Sequence, residues 1–230
     1  MRRHAGFTLI ELMIVIAIIA IIALIAIPNL LSSRLVANET STIGTLRSLS
    51  SAQAEFQARQ IVDQDSDGLG EYGFLVELAG SVIPRGAAIT LDPPSISQAL
   101  GNVDAAGLVT KSGFVFVQWL PGGNGAPIQC PAQGVAPAAV IANANTQETR
   151  WCCYAVPTTI RNTGNRAFVI NQQADVYATP NVGVQNYDLT TLPVPMAAYE
   201  TTAPAPTNLS GKFAVGVGAA QDGGTWVPAS

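Results

Sequence analysis

The acidic stretch containing Asp63, Asp65, Asp67, Gly68 and Glu71 is the part of this sequence whose residue types and spacing best suit chemistry. Carboxylates at alternate positions followed by a glycine suit a calcium loop. Calcium takes several flexible oxygen ligands, and the glycine permits the sharp turn that folds them around one point. Counting from Asp63, position 12 is Phe74, where a complete EF-hand needs a bidentate glutamate, so that motif is excluded. A shorter loop remains, with side-chain oxygens from Asp63, Asp65 and Asp67, the backbone carbonyl of Leu69 and a closing carboxylate from Glu71. The alternative is an acidic turn exposed to water.

The three cysteines, Cys130, Cys152 and Cys153, have no histidine at metal-ligand spacing. In an oxidising compartment they predict one disulfide. Adjacent residues of a strand point to opposite faces, so Cys130 can face Cys152 or Cys153 but not readily both. Three reduced, buried thiols are the other reading. The only histidine is His4, at the amino end, so the rest of the chain cannot assemble Ser-His-Asp or Cys-His nucleophiles. No cofactor signature is present, and the expectation is a protein that is not an enzyme and requires no cofactor. Residues 122–125 are glycine-rich but follow Pro121 and lack the lysine and helix pattern of a phosphate loop; they read as a turn.

Charged residues are 11% of the chain and the formal net charge is −4. Only two lysines occur, Lys111 and Lys212, and the nine arginines are scattered, so no basic surface for direct nucleic-acid binding is expected. Loss of Arg2 and Arg3 with a leader would leave nine basic against fifteen acidic side chains.

These groups must be positioned by elements that begin with an unusual amino terminus. Residues 1–6 are short, basic and end in Gly6, and residues 7–27 then form an apolar run interrupted by one charge, Glu11. At about 1.5 Å per residue, a helix of that length spans close to the ~30 Å hydrocarbon layer of a bilayer. Arg2 and Arg3 hold the amino end in the cytoplasm, and the remainder of the chain is then exported. A secretory signal places its small-residue cleavage site after the apolar region. Here Gly6 precedes it, so a cut there would remove the charges and keep the apolar segment. An ionised carboxylate in a membrane helix costs about 2.5 kcal/mol or more, so Glu11 requires a partner or a task.

Taken together, Gly6, Phe7, Thr8, Leu9, Ile10 and Glu11, behind a basic leader and ahead of a long apolar run, resemble the processing motif of the type IV prepilin family. The resemblance implies cleavage after Gly6 by a prepilin peptidase and N-methylation of the new Phe7 terminus. It also implies pairing of Glu11 with the terminal amine of a neighbouring subunit. The implied partners are identical subunits in a helical filament and the pilus assembly machinery. The implied location is the inner membrane for the precursor and an extracellular filament afterwards.

Pro28 removes a helical donor just after the apolar run, yet the helical pattern resumes: Ile43, Leu46, Leu49, Ala52 or Gln53, and Phe56 recur at three- and four-residue spacing. This predicts one rod over residues 7–60, with Gly44 as a weak point and its second half packed on a globular part. Residues 63–112 read as a long connection with a short helix near 72–79. Residues 113–120, 150–156, 166–170 and 174–177 are rich in β-branched and aromatic side chains and read as strands, with 162–165 as a hairpin turn. The Pro- and Thr-rich tail wraps the surface, with Val215, Val217 and Trp226 as anchors. The expected fold is α+β and pilin-like: a long helix with a protruding half, packed on an antiparallel sheet of three or four strands. Its parts are a leader (1–6), an apolar membrane and filament-core helix (7–33), an amphipathic half of the same helix (34–61) and a head (62–230). The expected function is a structural pilin. A type II secretion pseudopilin and a membrane-tethered adhesin or calcium-binding protein are the alternatives.

Overall fold

The computed structural model describes residues 7–123, 126–135, 137, 144–201, 207–216 and 220–229. Its first element is a single helix, α1 (Leu9–Ala58), of 50 residues, about 75 Å long at 1.5 Å per residue. Thr8 caps its amino end reciprocally. The Thr8 hydroxyl accepts from the Glu11 N–H at 3.3 Å, and the Glu11 carboxylate accepts from the Thr8 N–H at 2.9 Å. Pro28 lies inside the helix, which continues past it as one element, as the recurring apolar spacing predicts.

No residue of α1 is buried before Glu39. Beyond it Ile43, Leu46, Leu49, Ala52, Gln53 and Phe56 are buried in one stripe. Each buried Leu or Phe in it is worth about 1.5–3 kcal/mol relative to exposure, so the second half of α1 is fixed by packing while the first half is free of it.

After α1 come two short helices, α2 (Leu75–Leu78), inside the predicted 72–79 segment, and α3 (Gln98–Gly101). The strands are β1 (Leu108–Lys111), β2 (Phe114–Leu120), β3 (Ile128–Gln129), β4 (Cys152–Pro157), β5 (Ala167–Asn171), β6 (Val176–Thr179) and β7 (Val227–Pro228). A short helix, α4 (Ala144–Gln147), precedes β4. They form one antiparallel sheet in the order β1-β2-β4-β5-β6-β7, with β3 also paired to β2. The four predicted strands are β2, β4, β5 and β6. The sheet is wider than the expected three or four strands because β1, β3 and β7 add to it. The predicted hairpin turn joins β4 to β5, closed by the Arg161 N–H on the Gly164 carbonyl at 2.9 Å.

Both faces of the sheet are buried, and side chains alternate between them. Phe114, Phe116, Cys153, Ala155, Phe168 and Ile170 face α1 and form one core with Leu46, Leu49 and Phe56. Val115, Val117, Cys152, Tyr154 and Val169 face the other way, into a second core closed by Tyr199, Leu209, Phe213 and Trp226 of the tail. The tail thus forms a third layer rather than a loose wrapping. Trp226 anchors it as expected; Val215 does not, being 58% exposed, and Val217 lies outside the described residues.

Candidate functional site

Two regions carry the residues singled out from the sequence. The first is the free half of α1. Gly6, the expected cleavage position, lies outside the described residues; Phe7, which follows it, is 78% exposed. Ile10, Leu12, Ile16, Ile19, Ile22 and Leu24 are all exposed, as is the rest of the apolar run apart from partly covered Ala23. The helix is long and apolar enough to cross a membrane. Glu11 is turned back onto its own helix start, where its Oε2 accepts the Thr8 hydroxyl at 2.6 Å as well as the Thr8 N–H. A carboxylate in that place favours the positive end of the helix dipole. Within the single chain, then, Glu11 caps a helix whose other surface is apolar.

The second region is the acidic loop that follows α1. The loop is closed at its neck by the Glu71 N–H on the Val62 carbonyl at 2.9 Å. Gly70 lies so close to the helix end that a Cβ there would sit 2.3 Å from the Gln57 carbonyl oxygen, which is why a glycine is needed. Gly68 has φ +90°, the conformation for which the sequence supplies glycine. One carboxylate oxygen from each of Asp63, Asp65 and Asp67 lies within 4.8 Å of the others. Asp63 Oδ2 accepts the Gly68 N–H at 3.3 Å, and Asp67 Oδ1 accepts the Leu69 N–H at 2.8 Å. Leu69, the expected carbonyl donor, is 58% exposed. Glu71 is fully buried: its Oε1 accepts the Gln64 N–H at 2.9 Å and its Oε2 has no hydrogen-bond partner among the described residues. Burial pushes its carboxyl above the usual range, against the opposing pull of two backbone N–H groups and of Arg85.

Glu148, which the sequence reading missed, faces the same loop. The Tyr72 N–H donates to the Gln147 carbonyl at 3.0 Å, which ties the end of α4 to the residue following Glu71. The Gln57 side-chain amide donates to the Glu148 carbonyl. Glu148 is 7% exposed and its Oε1 has no hydrogen-bond partner among the described residues. Burial raises its carboxyl, and the charges of Asp67, Asp65, Glu71 and Asp63 raise it further. Nothing local marks Glu148 in the sequence, because its partners lie in a distant segment.

Gln147 is itself held by a buried network. Arg85 donates to the Gln147 side-chain oxygen, to the Tyr72 carbonyl at 2.5 Å and to Glu77 Oε1 at 3.0 Å. Glu77 also accepts the N–H groups of Phe74 at 2.8 Å and Arg85 at 2.9 Å. The Glu77–Arg85 pair is wholly shielded from solvent.

The expected disulfide is not formed: Cys130, Cys152 and Cys153 are free and buried. The sheet register gives the reason. Trp119 pairs with Gln129, the Cys130 N–H donates to the Gln118 carbonyl at 3.0 Å, and on its other side Gln118 pairs with Cys153. A whole strand therefore separates Cys130 from Cys153, about 9.5 Å at two strand spacings, beyond the ~7 Å reach of a disulfide. Cys152 points into the opposite core, as its adjacency to Cys153 predicts.

No curated protein and no solved structure matches the chain. Residues 1–27 match the model of the prokaryotic N-terminal methylation motif, and the chain thus carries a type IV prepilin-like signature at the head of a long apolar helix.

Proposed function

We propose that this chain is a structural subunit of a type IV pilus filament. In this reading residues 1–6 are a leader removed by a prepilin peptidase, and the new Phe7 terminus is methylated. Residues 7–33 anchor the subunit in the inner membrane and then line the filament core. Residues 34–61 join that core to a head formed by residues 62–230, which faces the outside. The methylation motif supports the processing steps.

The observation that carries the assembly step is Glu11. It is the only charged side chain between residues 7 and 33, in a half-helix that nothing among the described residues covers. A bilayer or a bundle of like helices covers such a surface equally well, because lipid tails and Leu or Ile side chains are equally apolar. The carboxylate is costly in both places unless it meets a positive charge there, and the amine at Phe7 of an adjacent subunit is such a charge.

Shearing intact cells and imaging the released material by electron microscopy tests the reading. A pilin is recovered in long fibres that contain this chain. Processed, methylated chain without surface fibres would instead identify a type II secretion pseudopilin. Unprocessed chain confined to membranes would identify a tethered protein.

A further inference from the structure

The second half of α1 packs one stripe on the head and leaves another uncovered. Thr40, Gly44, Arg47, Ser51, Ala54 and Ala58 recur at four- and three-residue steps, lie on one side of the helix and are all exposed. The same steps run back through Ala37, Ser33 and Leu30 into the apolar half, so one seam follows the length of the rod. That spacing is how one helix packs along another, and small side chains on it let two backbones approach closely.

A stripe of small residues binds nothing by itself, but two features of this one find no cause among the described residues of a single chain. The first is Gly44, a residue type that weakens a helix interior. A Cβ built there meets nothing within 4 Å, so no contact of the chain's own fold requires glycine. The second lies at the end of the seam, where Ala54 and Ala58 form one wall of an open cleft of about 330 Å³ that Leu69, Gly70 and Glu148 also line. Glu148 is buried, and its Oε1 has no hydrogen-bond partner among the described residues. Neither Glu148 nor Arg47, the one charged side chain of the seam, forms an ion pair among those residues. A buried carboxylate without a partner is costly, and the acidic side chains near Glu148 make a cation there more favourable still.

From these relations we infer that the seam is an interface with a second copy of this chain, in which Arg47 of one copy enters the Glu148 cleft of the next. Arg47 precedes the wall of Ala54 and Ala58 along the same side of α1 by about 10–17 Å at 1.5 Å per residue. Two parallel rods that face each other across the seam, offset by that distance, bring guanidinium and carboxylate level. The planar fork of an arginine suits a carboxylate, and close approach of the rods at Gly44 accounts for the glycine. The contact joins different patches of the two copies, so its repetition builds an open helical assembly rather than a closed dimer. This inference rests on the filament reading and adds to it a face and a charge pair.

Fibres sheared from cells that express the full chain carry the test. Arg47→Glu should lower fibre yield at least about tenfold, because it sets two carboxylates against each other. Combining it with Glu148→Arg restores opposite charges and should recover yield. Gly44→Leu should also lower yield, while the melting midpoint of the subunit in micelles does not fall; a glycine needed only by the fold would not separate the two. If the charge-swapped chain fails to fold, cross-linking decides. Ser51 lies on the seam one turn from Arg47 and Thr149 lines the cleft, whereas the native thiols are buried. A short bis-maleimide should therefore link Ser51→Cys/Thr149→Cys fibres into ladders that neither single variant gives. Undiminished fibres from Arg47→Glu, or fibres of the double cysteine variant without ladders, overturn the contact and leave the filament reading standing. Loss of fibres in Glu148→Gln but not in Arg47→Glu would assign the cleft to a cation from another source and overturns the pairing as well. Absence of fibres from the wild type would instead overturn the filament reading, and this contact with it.

Discussion

Glu39 Oε2 accepts the Nε–H of Arg166 at 2.8 Å, joining α1 to the start of β5. Its second oxygen accepts the N–H groups of Asn165 at 2.8 Å and Arg166 at 3.2 Å. Beside it the Asn38 side-chain amide donates to the Thr163 carbonyl at 2.9 Å. Glu39 is also the first buried residue of the helix, so the helix enters the head at this clamp.

Glu39→Ala should therefore cost about 2–3 kcal/mol, chiefly because two backbone N–H groups lose a charged acceptor. The ion pair adds little to that figure, since Arg166 is partly exposed. Glu39→Gln keeps one acceptor oxygen and should cost about 1 kcal/mol. Denaturant unfolding of the full chain in micelles measures both; equal stability of wild type and Glu39→Ala would remove the clamp.

The shielded Glu77–Arg85 pair makes a stronger demand. Glu77→Gln or Arg85→Met each leaves one buried charge without its partner, at a cost of about 3–5 kcal/mol. Replacing both by methionine should recover part of the loss, because neither charge then needs solvation. The same unfolding measurement on single and double variants gives the coupling energy. Simple additivity of the two single losses would show that the pair does not act as a unit.

For Glu11 the structure adds a control. It is both a helix cap and the proposed charge partner of an adjacent amine. Glu11→Gln keeps an acceptor for the Thr8 N–H, as a capping box allows, but removes the charge. Membrane fractionation should show normal insertion of both Glu11→Val and Glu11→Gln, and fibre counts should fall in both. Normal fibre yield from Glu11→Gln would leave Glu11 with capping alone, worth about 1 kcal/mol.

The buried thiols should be inert in the folded protein. Burial pushes Cys130 up to about 12 and raises Cys152 and Cys153 further from reactivity. Alkylation of native chain followed by mass spectrometry should show no adduct. Unfolding without any reductant should expose all three thiols. Fewer than three adducts after unfolding would show a bridge that the strand order forbids.

The sequence was most informative where a pattern is local. The continuous helix follows from residues recurring every third or fourth position, and Phe114 to Val117 alternate between two faces as strand residues do. β1 escaped because only four residues separate Gly107 from Ser112 and Gly113. Those two, with φ +51° and +76°, make the tight turn into β2. A Ser-Gly pair ahead of an apolar run was the available signal. The disulfide failed for a different reason: spacing along the chain does not reveal that β2 lies between Cys130 and Cys153. Glu148, Arg166 and Arg85 likewise acquire their meaning from partners remote in sequence. The acidic loop was legible as an aspartate cluster, whereas the buried glutamates behind it were only half so, through Glu71.

The tail layer has a bearing on how the protein is made. Trp226 is fully buried against the outer face of the sheet and makes an edge contact with Tyr154 at 5.9 Å between ring centres. It follows Val169 by 57 residues along the chain. A polypeptide emerging amino end first presents Val115, Val117, Tyr154 and Val169 long before their cover has been synthesised. Until Trp226 arrives, that face is a bare apolar patch of the kind that recruits chaperones or seeds aggregation. Maturation of the head in this sense awaits its cover, and loss of Trp226 would leave it sticky rather than merely less stable.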